Sequence, residues 1–583
     1  MIVTGAGTGE TVGAMMTEAT ADGGTGAGQA GRPPGPGHET LDQMLARHAA
    51  ATPDRLALVD FDDRERWTTG AARSFTWAEL QARVDHYAAF FAMLALKPDT
   101  VVGVQMPPTS EAVAVLLALW RAGLVVAPMP LALRERDLTE RLAALGAKAI
   151  ATQAEVLDIP LGVQMRDVAA ELFNIRFVFC AGDRIPDGLV ELERVFVEAE
   201  GIGPAPAIER RGAAGDHAAT IAWTQLRSDD GTLPVPMPRS HTHWTAVGLM
   251  TGIEAGIGPG AVVVTPFALS GLRGIGVGLV PWLVAGARLV IGLPDSVDRL
   301  VEEAARNDAT HILVPADLVR RLAERLDRDR REATIVAVGD GRFEEAPPRG
   351  HRIVDVTLLG EHGLVARARR DGDDGRSLPV GAVRAPSRVA GAPALMETRL
   401  IAPGGKVVDS GTTAGEIHVR GAMVPDLPWQ GGPKHRTVER PKTADGFQPT
   451  GIGGRLRADD PATMEVLGPP EDRVGTGQTE TDLVALDAVL TAVEGVTDAA
   501  AIPLDGDGGR RIGAVVVPAP GTPFDAAAYL ARLDATRIGL HQMPEAVLTA
   551  PAIARAPSGR VMRAGMAARL LADRDGGREA GSA

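Results

Sequence analysis

The sequence predicts an α/β fold: a large N-terminal domain with parallel sheets flanked by helices plus a small β subdomain, followed by a small α+β C-terminal domain. Three observations predict it. Short apolar runs alternate with helix-period segments up to about Arg384, the texture then changes to short strands with Gly and Pro turns, and beyond Gly468 helix and strand patterns return in a compact unit. A chain of 583 residues is also too long for one hydrophobic core.

Residues 1–37 are low-complexity Gly, Ala, Thr and Pro and are expected to be a flexible tail. Their opening, MIVTGAGTGE, imitates a dinucleotide-binding glycine fingerprint, but neither a full helix nor a second strand follows. Order is expected from about His38. In SFTWAELQARVDHYAAFF, Thr76 and Glu79 make a capping box, and Leu80, Val84, Ala88 and Phe91 recur at helical spacing. TVVGVQM, the helix SEAVAVLLALWRAG stopped at Gly123, and LVVAPMP form a strand–helix–strand crossover. The alternation returns in GAVVVTPF, the apolar stretch GVGLVPWLVAG, ARLVIG, and a helix Val297–Ala305 ahead of THILVP. TRLIAPGGKVVDSGTTAGEIHVRG reads as antiparallel hairpins. A helix Leu483–Val493, strands DAAAIPL and IGAVVVPA, and a helix at AAYLARL complete the chain. The expected domains are 38–467, with the β subdomain at about 384–467, then 468–573 and a polar tail 574–583.

With 60 Lys and Arg against 74 Asp and Glu, the net charge of −14 argues against nucleic acid or an anionic membrane as the main partner. No apolar run reaches the roughly 18 residues of a membrane span. Cys180, the single cysteine, lies in the apolar run FVFCAG, as a small buried hydrophobe would. One cysteine allows no internal disulfide, so a reducing cytoplasm is expected.

The stretch Ile221–His241, IAWTQLRSDDGTLPVPMPRSH, reads as a strand, Ile221–Trp223, emptying into a Ser/Asp/Gly/Pro loop, with a second hydrophobic segment from about Trp244. A strand followed by such a loop has the layout of a polyanion cradle, yet this loop carries Asp229 and Asp230 and no Lys. His241 and His243 form an HxH pair without a third ligand at metal spacing. Asp216 and His217 read as a turn leading into the central strand. HExxH, GxSxG, Walker A and CxxC patterns do not occur.

The colinear order of ATPDRLALVD, FTWAELQARVDHYA, GVQMPPTSEAVAVLLALWRAGLVVAPMP, PFALSGLRGIGVGLVPWLVAGARLVIG, THILVPADLVRRL, GTTAGEIHVRGAMV and APSGRVMR resembles the adenylate-forming acyl-CoA synthetase family, the AMP-binding ligases, over residues 38–573. The resemblance implies ATP-dependent activation of a carboxylic acid to an acyl-adenylate, with fatty acid metabolism one setting. The acyl group then passes to a thiol such as CoA or a carrier protein, with Mg2+ assisting and the small domain swinging about a hinge. It implies nucleotide contacts at Ser228, Gly231, Thr232, Pro234 and Arg239, at Gly360 and Glu361 of LLGEHG, at Thr450, and at Asp472 at the hinge. It further implies Glu361 as a metal ligand, and catalytic roles for Arg560, at the C-terminal Lys position, and His241.

The sequence departs from the family pattern at several of these places. Val235 stands at the loop's Lys position, Asp229 and Asp230 replace Gly and Thr, Leu359 replaces an aromatic, and Ile452 replaces a ribose-binding Asp. Pro469 and Pro470 occupy the hinge where an Arg is usual, and two prolines stiffen it. These departures favour an alternative: a catalytically impaired relative that binds an acyl group, a CoA-like ligand or a protein partner.

Overall fold

The computed structural model describes residues 39–567 apart from 199–200, 207, 209–212, 229–230, 342–349, 370–376, 388, 390, 412–413, 426–428, 430–444, 471, 476–478, 505–509, 522, 556–560 and 564–565. The N-terminal tail and Arg560 therefore lie outside the described residues, as do Asp229 and Asp230.

The alternating pattern builds two large sheets. The first has seven strands, in the order Val190–Glu191, Phe177–Ala181, Ala149–Gln153, Val101–Gln105, Val125–Pro128, Ala218–Ser228, Gly231–Ser240; all pairs are parallel except the last. The second has eight, in the order Gly363–Ala368, Ile353–Leu359, Thr334–Gly339, His311–Pro315, Val262–Thr265, Arg288–Ile291, Leu56–Asp60, Ser74–Thr76, with antiparallel strands only at the two edges. Inner strands are buried on both faces, which is why Val262–Thr265 reads VVVT without alternation.

Helices between the sheets share one core with both. Ser110–Arg121 is buried from Ser110 through Trp120, and Trp77 stacks on Trp282 at 5.2 Å. Three indoles spend their N–H on strand residues: Trp120 on Ala219 O at 2.8 Å, Trp244 on Thr220 Oγ1 at 3.0 Å, and Trp282 on Ala57 O at 3.0 Å. The capping box at Thr76 and Glu79 is present, with reciprocal bonds of 3.2 and 2.8 Å. Cys180 is fully buried, and burial pushes its thiol up to about 12.

An antiparallel six-stranded sheet follows, from Ser377–Pro379 to Thr463–Gly468, so it starts ahead of the texture change at Arg384. The C-terminal unit packs helices Leu483–Thr491 and Ala526–Ala535 on a three-stranded sheet of Val496–Leu504, Arg511–Pro518 and Ala546–Thr549. It touches the N-terminal body near 132–141: Leu540 N–H donates to Ala132 O at 2.8 Å, and Arg134 pairs with Asp534. No helix among the described residues is long and apolar enough to cross a membrane.

One expectation is corrected here. The segment after Trp223 is not a loop: the strand runs on to Ser228, and Gly231–Ser240 is a second strand paired with it, Thr224 opposite Val235 and Ile221 opposite Pro238. Pro234, Pro236 and Pro238 fall on alternate residues, so their missing N–H groups all point to the outer edge and cost the hairpin nothing. The outward carbonyl of Pro236 accepts from Trp429 N at 3.3 Å. Prolines at period two read as a loop by composition, yet they are compatible with an edge strand.

Candidate active site

Parallel strands place all their C-terminal ends on one side of a sheet, and loops leaving them in different directions open a crevice there. In the second sheet, four adjacent strands do this. Phe267 follows Val262–Thr265, Asp317 follows His311–Pro315, Asp340 follows Thr334–Gly339, and Gly360 and Glu361 follow Ile353–Leu359.

Arg273 meets these loops from the helix Leu272–Leu279, which is wound as a π-helix, a form often found at functional sites. Gly274 lets that helix lie directly on the preceding loop, because a Cβ there would stand 1.7 Å from Ala268 O. The Arg273 guanidinium lies 5.5 Å from the Phe267 ring centroid, and its Nε is buried without a hydrogen-bond partner. Burial lowers its pKa, and the charges of Asp340, Asp317 and Glu361 act against that. Among the described residues none of these carboxylates hydrogen-bonds or ion-pairs with it.

Gly360 takes a left-handed φ of +58°, and a Cβ there would crowd Thr450 O at 3.1 Å. That turn directs Glu361 inward, where it is 5% exposed. Its carboxyl accepts Leu272 N–H at 3.1 Å and thereby caps the π-helix. Burial pushes Glu361 up to about 7 against the pull of Arg239, the Leu272 N–H and Arg273.

Arg239 closes the hairpin and is fully buried. Its fork donates to the carbonyls of Glu361, at 2.6 Å, and Met423, and the guanidinium lies 4.9 Å from the Trp244 ring centroid. The resemblance implies a nucleotide contact, but these donors are turned to main chain from two remote segments. Val235 is buried at 0% exposure, so the Lys position of the pattern faces the core. Pro234 is exposed; Ser228, Gly231 and Thr232 lie on the paired strands towards the tip.

His241 opens the helix His241–Ala255 behind the N-cap Ser240. Its Nδ1 accepts Leu41 N–H at 3.2 Å and its ring meets Trp120 edge-on, so it is packed between helices. His243 Nδ1 accepts Ser240 N–H at 3.2 Å. Both halves of the HxH pair thus serve helix starts, and no three His, Cys, Asp or Glu among the described residues are grouped to hold a metal. Thr450 Oγ1 donates to Ile417 O at 2.7 Å beside the buried Ile452, and Asp472 O accepts Leu483 N–H at 2.9 Å. Asp216 lies in the turn ahead of Ala218–Ser228 and accepts from Thr242 Oγ1 at 3.0 Å.

Arg273 carries a sequence signal that was legible: it is the lone charge in PFALSGLRGIGVGLVPWLVAGA. Arg473 and Glu480 carry no such signal. They form a buried pair at 3.5 Å just past the hinge, and a Cβ at Gly451 would stand 3.0 Å from Arg473 Nη1. Burial pushes Glu480 up to about 7; Arg473 opposes the shift, while Asp340 and Asp482 add to it.

Two mainly parallel sheets, an antiparallel sheet and a small α+β unit around a strand-end crevice define an adenylate-forming fold. The AMP-binding enzyme family model matches residues 45–425, and the chain belongs to that family. It is 26% identical over 541 residues to 2-hydroxy-7-methoxy-5-methyl-1-naphthoate–CoA ligase of Streptomyces carzinostaticus, covering 90% of this chain and 91% of that one. It is 26% identical over 547 residues to the salicyl-AMP ligase / salicyl-S-ArCP synthetase of Mycobacterium tuberculosis, covering 90% and 89%. The amide bond synthetase McbA from Marinactinospora thermotolerans shares the fold at TM-score 0.70 and 19% identity, covering 91% of this chain and 100% of that one.

Among the described residues, the positions that the resemblance assigns to a magnesium triphosphate offer it few free groups, while the tip of the hairpin and Arg560 lie outside them. Glu361 is committed to Leu272 N–H, and the described carboxylates do not form a group of three placed to hold a metal ion. Val235 and Ile452 bring no donor, and Arg239 is engaged with carbonyls.

Proposed function

We propose that this protein is an acid–thiol ligase that uses ATP to activate a small aromatic carboxylic acid as its adenylate and passes the acyl group to CoA or a carrier-protein thiol. The observation that carries this reading is the convergence of four strand-end loops on Arg273, which forms an aromatic and cationic crevice for an acid where such sheets bind ligands. The two full-length relatives named for aryl acids support the aromatic class over fatty acids. Chemically, a carboxylate is a poor acyl donor, and activation gives its carbon a good leaving group before the thiol attacks. Holding the acid rigidly against Phe267, with water kept out by the surrounding core, is the contribution assigned to these residues.

A second reading, acid binding without adenylation, is favoured by Val235 in the core and by the carbonyl-bound Arg239. Pyrophosphate release over a panel of aromatic and aliphatic acids, with ATP, Mg2+ and CoA, separates the two. Release with aromatic acids is the expected result. No release with any acid, alongside calorimetric binding of the acids, overturns the ligase reading in favour of the second.

A further inference from the structure

A cation taken partly out of water is costly unless its donors are met. Arg273 is half-buried, its Nε is shielded, and among the described residues its fork has no hydrogen bond or ion pair. Nearby guanidinium groups are treated differently: Arg239 is turned to main-chain carbonyls, and Arg473 is paired with Glu480. The backbone that carries Arg273 is held by the close approach at Gly274 and by the Glu361 cap on Leu272.

The surroundings discriminate among ligands. Asp340, Asp317 and Glu361 lie close enough to act on the guanidinium by charge, yet leave its donors open. A second full anion on the ligand would meet two aspartates as well as the arginine. A neutral oxygen would take the donors without that repulsion, and the Phe267 ring beside them suits an aromatic body.

From this we infer that Arg273 is the specificity-determining residue of the crevice, donating to a neutral ring oxygen, a hydroxyl or methoxy group, on an aromatic acid. The inference rests on the reading that the crevice holds the acid. It does not need ATP chemistry. A site built to donate hydrogen bonds rejects the analogue lacking the acceptor, because its buried donors are then left unmet.

The test is equilibrium calorimetry without nucleotide, using benzoate, 2-hydroxybenzoate, 2-methoxybenzoate and benzene-1,2-dicarboxylate, on the wild type, Arg273→Met and Arg273→Lys. The wild type is expected to bind the hydroxy or methoxy acid at least about tenfold more tightly than benzoate. It is expected to bind the dicarboxylate no better than benzoate. Arg273→Met should bring all four acids to within about twofold of one another, with Arg273→Lys intermediate because it keeps charge without the fork. If Arg273→Met does not fold, the lysine variant carries the same comparison. An unchanged preference in the variants, equal loss of all four acids, tightest binding of the dicarboxylate, or no binding of the oxygenated acids by the wild type overturns the inference. Pyrophosphate release, run in parallel, reports on the ligase reading alone: acids bound with an Arg273-dependent preference but never adenylated sink that reading and leave this one standing.

Discussion

Arg239 decides most at the scale of single residues, because one guanidinium joins the hairpin to the Glu361 turn and to Met423. Arg239→Met strands buried carbonyls and is expected to cost about 2–4 kcal/mol in urea unfolding. Arg239→Lys recovers little, since an ammonium cannot span two carbonyls in the plane of the fork. A variant as stable as the wild type contradicts the clamp. Glu361 gives a pH signature. Its folded pKa, about 7, lies above the ordinary 4.5, so the folded state holds the proton more tightly. The stability this provides is complete below about 4.5 and is lost as pH rises through about 7. Glu361→Gln keeps an acceptor for Leu272 N–H and should flatten that fall, which amounts to roughly 1–3 kcal/mol. Unfolding midpoints between pH 5 and 8 that slope equally in both proteins count against it.

Among the elements, the hairpin Ala218–Ser240 was the least legible. The capping box, the crossover units and the C-terminal strands follow local periodicity and appear where the pattern places them. PVPMP, by contrast, is ambiguous until a partner strand exists: the same prolines break a central strand and are neutral on an edge. They also remove outward N–H donors from an edge that a second chain could otherwise pair with. Pro234→Thr, at the exposed end, restores one donor. It is expected to leave the unfolding midpoint nearly unchanged and to raise concentration-dependent self-association in light scattering. A strictly monomeric variant that is strongly destabilised would mean that the proline serves the fold instead.

For the whole molecule, the question is how firmly the C-terminal unit is held. Pro469 and Pro470 stiffen the connection, while Arg134–Asp534 and the Leu540–Ala132 bond fasten the far side. His541 is half-buried in that contact and is lowered to about 4 by desolvation and by Arg141. A folded pKa below the ordinary 6.5 means that the contact is complete above about 6.5 and loosens as pH falls towards about 4, opposite in sign to Glu361. Asp534 is half exposed, so Asp534→Asn should weaken docking by only about 0.5–1 kcal/mol. Scattering or distance measurements should show a narrow range of domain orientations at pH 7.5, broader in Asp534→Asn and broader again at pH 5. A wide, pH-independent distribution in the wild type refutes the latch.

Sequence by itself determined the alternation of strands and helices, the partition into sheet types, and the family, because each depends on residues near one another in the chain. It also marked the places where the chain departs from the family's sequence pattern. Only the tertiary structure decided what the remaining charges face. Arg239 turns to carbonyls more than a hundred residues away, Glu361 caps a helix that precedes it, and Arg273 stands among four strand-end loops with its donors open. A side chain's type and spacing specify what it is able to bind; which partner it meets is settled by segments brought together through burial of the two sheets, and that burial is written across the whole chain and in no single motif.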